Sequence, residues 1–142
     1  MLLPDVNILV YAHRQDAQSH SGYRAWLERL LNGDAAFGLA SIVVSGFLRI
    51  VTHPKVFVKP TPLPDALAFA EQLREPPTCV AVEPGSRHWS IFRRLCADSD
   101  VRGNLVPDAY LAALAIESGS ELMTTDRDFS RFAGLRSRHP LK

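Results

Sequence analysis

The sequence of 142 residues has few cysteines and no long apolar run, and each absence excludes a class of protein. Cys79 and Cys96 are the only cysteines, and neither belongs to a Cys-x-x-Cys pair or a Cys/His cluster, so neither a disulfide framework nor a zinc site is predicted. The most apolar stretch, Phe37 to Leu48, is shorter than the roughly 20 residues that cross a membrane. No Lys or Arg precedes the first apolar residues, so we expect no export signal and a cytoplasmic protein without membrane contact.

The chain also lacks a strong overall charge. Its 16 Lys and Arg residues against 15 Asp and Glu residues leave a net charge of +1, so no global basic field predicts a nucleic-acid partner. The charges are nevertheless distributed unevenly, because residues 35–64 contain no carboxylate, and residues 127–142 contain five Lys or Arg residues against Asp128 alone. Either stretch could bind phosphates or be an ordinary solvated surface. Arg49, Lys55 and Arg102 are candidate RNA contacts.

The length and composition predict one folded domain over residues 1–142, with 46% hydrophobic and 22% charged residues. Short apolar segments alternate with segments of helical periodicity, which favours an α/β fold with a mostly parallel central sheet and helices on both faces. Ser19, Ser41 and Ser86 each precede a helical segment, and we expect them to cap these helices.

Three aspartates lie where such a fold places ligand-binding residues. Asp5 follows the first predicted strand, Asp126 follows a later one, and Asp108 lies in the first turn of a helix. Carboxylates that converge at the carboxyl ends of strands need a cation to remain ionised together, and oxygen-only ligands favour Mg²⁺ or Mn²⁺. Asn7 and Thr124 could position a carboxylate or a metal-bound water. Such an ion can activate water for phosphodiester hydrolysis.

The same aspartates also have a purely structural interpretation. Asp108 would be a favourable charge at a helix N-terminus, Asp5 and Asp126 would be loop acids, and Asn7 would be a turn former. Spacing alone does not decide between the two interpretations.

Three motifs resemble those of one protein family. Residues 3–12 (LPDVNILVYA), 106–117 (VPDAYLAALAIE) and 124–129 (TTDRDF) are similar, in order, to motifs of PIN-domain ribonucleases, and particularly of VapC-like toxins. The resemblance implies a three-layer PIN-like fold and a cleft in which Asp5, Asp108 and Asp126 bind one or two Mg²⁺ or Mn²⁺ ions. It also implies hydrolysis of RNA, inhibition by a small VapB-like antitoxin protein, and a homodimer.

The sequence departs from the family pattern at one acidic position. The family usually carries a glutamate in the segment that here reads Ser45-Gly46-Phe47-Leu48-Arg49, and Gly46 aligns with it. Asp128 is the best internal substitute, although it could equally be a loop acid paired with a neighbouring arginine. The missing acid leaves an alternative function open, namely a catalytically weakened PIN module that binds RNA or an antitoxin without efficient cleavage.

A phosphatase of the haloacid dehalogenase type also begins with an aspartate after its first strand. That chemistry requires a second aspartate two residues later, and this position is Asn7. The sequence therefore favours the nuclease.

Overall fold

The protein, described over all of its 142 residues by a computed structural model, alternates short strands with helices. The strands are β1 (Leu2–Pro4), β2 (Phe37–Ala40), β3 (Cys79–Val82), β4 (Glu121–Met123) and β5 (Ser137–Arg138). The helices are α1 (Val6–His13), α2 (His20–Asn32), α3 (Ser41–Val51), α4 (Leu63–Arg74), α5 (His88–Asp98) and α6 (Leu105–Ser118), followed by a short 3₁₀ helix (Arg127–Arg131).

The five strands form one sheet in the order β3-β2-β1-β4-β5, and every neighbouring pair is parallel. The chain moves from β1 to β3 in one direction and then crosses back to β4, so right-handed crossovers place α1 to α4 on one face of the sheet and α5 and α6 on the other. The predicted α/β class and the largely parallel sheet are confirmed. Because β1 and β4 are adjacent, the residues that follow them, Asp5 and Thr124, meet at one edge.

One continuous apolar core fills the space between the sheet and the helices. Leu3 and Leu122 from the central strands and Phe47 from α3 are fully buried in it. On the other face, α6 presents buried alanines, among them Ala109 and Ala112, whose small side chains let the helix lie close to the sheet. This packing fixes the start of α6, and with it Asp108, relative to β1 and β4.

The expected serine caps are wrong in their details. Ser19 precedes α2, but it adopts a left-handed conformation and makes no capping hydrogen bond. Ser41 is already the first residue of α3, where its N–H donates to Glu83 over 3.0 Å and its hydroxyl donates to the same carboxylate oxygen. Arg87, and not Ser86, immediately precedes α5. At α3 the carboxylate of Glu83, 42 residues later in the chain, takes the place of a local cap, and a local sequence pattern cannot predict such a contact.

None of the helices combines the length and the apolar character that a membrane span requires.

Candidate metal centre at the carboxyl end of the sheet

Hydrogen bonds hold both the backbone N–H and the two carboxylate oxygens of Asp5. Its backbone N–H donates to the carbonyl of Met123 over 2.9 Å, which continues the pairing of β1 with β4. Its Oδ1 accepts from the N–H of Val6 at the start of α1, and its Oδ2 accepts from the hydroxyl of Thr124, each over 2.7 Å. Burial raises the pKa of Asp5, the two hydrogen bonds oppose the rise, and the charge of Asp126 adds to it. The hydrogen bonds thus hold the carboxylate in place, and the residue is buried, with 7% of its surface exposed.

Thr124 connects Asp5 to Asp126. The hydroxyl that donates to Asp5 also accepts the N–H of Asp126 over 3.1 Å, so a single buried side chain holds both residues. Asp126 in turn accepts the N–H of Asp128 over 2.8 Å on its Oδ1, which starts the short 3₁₀ helix. The end of β4 thus orients two of the three predicted aspartates.

Asp108 enters the site from the first turn of α6, and no hydrogen-bond donor of the protein reaches its side chain. Burial and then the negative charges of Asp126, Asp5 and Asp128 raise the pKa of Asp108 to about 6, while Arg131 opposes the rise. The structure therefore brings the three predicted aspartates into one electrostatic environment. Asp5 and Asp108 line one cavity of about 280 Å³, whereas Asp126 lines a neighbouring polar cavity of about 350 Å³ together with Thr124.

The donor set fits a hard divalent cation. Its atoms are carboxylate oxygens, none of the protein's ion pairs involves Asp5, Asp108 or Asp126, and their mutual repulsion would be relieved by positive charge. As the side chains stand, no group of three or more His, Cys, Asp or Glu residues is arranged so that it could hold a metal ion. An ion would therefore be held partly through water molecules, as Mg²⁺ commonly is, or after side-chain rotation.

Gly46, which the resemblance aligns with a family glutamate, lies on the α3 side of the cavity that Asp5 and Asp108 line. A Cβ atom at Gly46 would lie 3.0 Å from Cγ2 of Val6, the residue that directly follows Asp5. Glycine thus lets α3 pack closely on the start of α1. As a result, α3 contributes no carboxylate to the cavity, whose lining from this helix includes Ser45 and Arg49.

The other candidates from the sequence are spread more widely. Asn7 is half-buried in the first turn of α1 and makes no side-chain hydrogen bond. Lys55 is exposed and lines none of the main cavities. Arg102 pairs with Asp100 over 2.9 Å on an exposed loop, also outside those cavities. Of the three candidate RNA contacts, only Arg49 lies with Asp5 and Asp108.

Arg131 pairs with Asp128 over 3.5 Å, which is the pairing expected if Asp128 is a loop acid beside a neighbouring arginine. The action of Arg131 on Asp108 was missed at the sequence level. A larger cavity of about 1020 Å³ adjoins the site through Thr125 and is lined partly by Tyr11 and Phe57, which come from elements that are distant in the sequence. No sequence motif indicated this cavity.

The family model of the PIN domain matches residues 2–135 of the chain. Ribonuclease VapC43 of Mycobacterium tuberculosis is 48% identical over 141 residues, which cover 99% of this chain and 96% of the relative. Ribonuclease VapC25 of the same organism is 41% identical over 140 residues, which cover 99% of each chain.

Solved structures show the same fold at low sequence identity. VapBC2 from Rickettsia felis, solved bound to a DNA fragment from their promoter, aligns with a TM-score of 0.73 at 18% identity over 97% of each chain. VapC20 of Mycobacterium tuberculosis, described as a sarcin-ricin loop cleaving toxin, aligns with a TM-score of 0.68 at 14% identity, covering 96% of this chain and 99% of that one.

Proposed function

Because the chain belongs to the PIN domain family, we propose that it is a divalent-metal-dependent endoribonuclease and the toxin of a toxin–antitoxin pair. The observation that carries this proposal is the placement of three acids at the carboxyl end of the sheet, where Thr124 binds both Asp5 and Asp126 and where Asp5 lines one cavity with Asp108. RNA as the substrate class is supported by the curated relatives, which are named ribonucleases. Their similarity extends over nearly the whole length of this chain.

In this proposal Asp5, Asp108 and Asp126 hold Mg²⁺ or Mn²⁺. The bound ion would activate a water molecule and stabilise the negative charge that develops on the phosphodiester. The protein's own contribution is to orient the acids. Burial and their mutual repulsion raise the pKa of Asp5 and of Asp108, so a bound cation would be what favours their ionised form. Val6 and Thr124 fix both oxygens of Asp5, so this side chain needs no reorganisation when the ion and the substrate bind.

A small VapB-like antitoxin is the proposed inhibitory partner. Support comes from the structural neighbours, which include VapBC2 from Rickettsia felis. Exposed apolar side chains flank the cleft, with Ile42 at 37% and Val106 at 37% exposure, and a protein partner would remove them from water. We also propose a homodimer, which sedimentation equilibrium of the purified toxin would test.

The decisive experiment compares wild-type protein with D5N on a structured RNA pool in Mn²⁺. We expect cleavage by the wild type, its loss in EDTA, and a loss of at least about 100-fold in D5N, since removing even an indirect partner of a metal ligand commonly costs 10- to 100-fold. D34N removes an exposed acid outside the site and should cleave normally. RNA binding without cleavage by the wild type would contradict the enzyme and support the weakened binding module.

A further inference from the structure

One face of α3 lines the cavity that contains Asp5 and Asp108. The α3 residues in its lining include Ile42, Ser45, Gly46 and Arg49, which recur at the spacing of a single helical face. Where the family pattern has a glutamate on this face, the chain has Gly46 and, three residues later, a guanidinium. The α3 side of the cavity therefore carries positive charge and no negative charge.

Arg49 has no partner within the protein. It takes part in none of the ion pairs, whereas Arg14, Arg102 and Arg131, among others, are paired with nearby aspartates. Nor does it neutralise the acids of the site, because the cation that acts on Asp108 is Arg131. An exposed guanidinium that lines an acidic cleft without pairing with its acids is available to a ligand.

The charge of that ligand follows from the proposed function, on which this inference rests. A phosphodiester that approaches the carboxylates is an anion, and the planar fork of a guanidinium matches two phosphate oxygens. We infer that Arg49 binds the non-bridging oxygens of the RNA phosphodiester that is cleaved. Positive charge on the α3 side of the cleft is thus supplied by the chain itself, three residues after the position that aligns with the family's acid.

Gly46 makes this arrangement possible. It brings α3 so close to α1 that a Cβ added at this position would lie 3.0 Å from Cγ2 of Val6, the residue after Asp5. Arg49 lies one turn farther along the same helix face and lines the same cavity as that aspartate. The close packing of the two helices therefore places Arg49 and two of the predicted metal ligands, Asp5 and Asp108, around one cavity.

RNA binding in EDTA tests the inference without metal or cleavage. A fluorescent single-stranded RNA is titrated with wild type, R49Q, R49K and R93Q at several salt concentrations. Each phosphate contact in single-stranded RNA contributes about 0.7 to the slope of log affinity against log salt. We expect R49Q to lower the slope by about that amount and R49K to retain it. R93Q removes an exposed arginine on α5 that lines none of the main cavities, and it should behave as wild type.

Cleavage in Mn²⁺ provides the second readout. Single-turnover cleavage should fall about 100-fold in R49Q and partly recover in R49K, which keeps the charge but loses the fork. The Mn²⁺-induced rise in melting temperature should remain in R49Q, because Arg49 binds phosphate and not metal. A salt slope and a cleavage rate equal to those of R93Q would overturn the inference. Absence of cleavage by the wild type would instead refute the proposed nuclease, and the salt slope in EDTA would still decide the role of Arg49.

Discussion

Asp5 and Asp108 line the same cavity, but the protein holds the two carboxylates in different ways. Asp5 follows a strand, and both of its oxygens accept hydrogen bonds from Val6 and Thr124. Asp108 comes from a helix and its carboxylate receives no hydrogen bond, while burial and then the charges of Asp126, Asp5 and Asp128 raise its pKa to about 6. The strand half of the site is therefore organised before any ion binds, whereas in the helix half only Arg131 offsets the neighbouring negative charges until an ion binds.

The largest expected effect is on metal affinity, and it follows from removing the Thr124 hydroxyl that donates to Asp5. Without it, Asp5 would be less firmly held and the two halves of the site would become more alike. In T124V, Oδ2 of Asp5 and the N–H of Asp126 each lose their partner, and the pKa of Asp5 should rise further because an opposing hydrogen bond is gone. We expect the affinity for Mn²⁺, measured by calorimetry, to fall about 10- to 100-fold, the usual penalty for losing a side chain that orients a metal ligand.

T124S is the matched control for this variant. It keeps the hydroxyl and should retain most of the affinity for Mn²⁺. Equal affinity for Mn²⁺ in T124V and wild type would mean that the hydrogen bond from Thr124 to Asp5 does not contribute to metal binding. The two halves of the site would then not differ in the way described.

In the helix half, the raised pKa of Asp108 should make the stability of the folded protein depend on pH. Because the folded protein raises the pKa of Asp108 above its ordinary value of 3.8, the proton is held more tightly in the folded state. Its stabilising contribution is complete at low pH and is lost as pH rises through about 6. D108N cannot titrate, so in EDTA it should become more stable than wild type on going from about pH 4 to pH 7.5, by roughly 1 kcal/mol after allowance for partial exposure.

Urea denaturation at a series of pH values measures this difference directly. A parallel pH dependence of the two proteins would show that neither burial nor the neighbouring acids raise the pKa of Asp108. In the wild type, the affinity for Mn²⁺ should increase over the same interval, because the ion competes with the proton for this carboxylate.

Local sequence patterns predicted the fold class and the family correctly, because both depend on signals within single segments. Strand-like runs before Asp5 and Asp126, and a helix start before Asp108, place each acid at one edge of a parallel sheet. The family predicted from three motifs is confirmed by the match over residues 2–135. The metal-binding roles of the acids stay predictions.

Long-range details could not be predicted in this way. The Thr124 hydroxyl contacts a residue 119 positions earlier in the chain, and the carboxylate of Glu83 holds the start of α3 from a different segment. Such contacts depend on how elements pack and leave no periodic signal. The cation that acts on Asp108 also comes from another element, the short helix that contains Arg131.

The smallest predicted effect concerns Gly46, the residue of α3 that packs against the start of α1 next to Asp5. In G46A, a Cβ 3.0 Å from Cγ2 of Val6 requires that side chain to move by a few tenths of an ångström, which is destabilising. Alanine in place of glycine within a helix is stabilising by about 1 kcal/mol. The two effects oppose each other, so we expect the free energy of unfolding to change by less than about 0.5 kcal/mol. A loss of several kcal/mol in urea denaturation would show that Val6 cannot yield, and that the position of Asp5 depends on this close contact as well as on its hydrogen bonds.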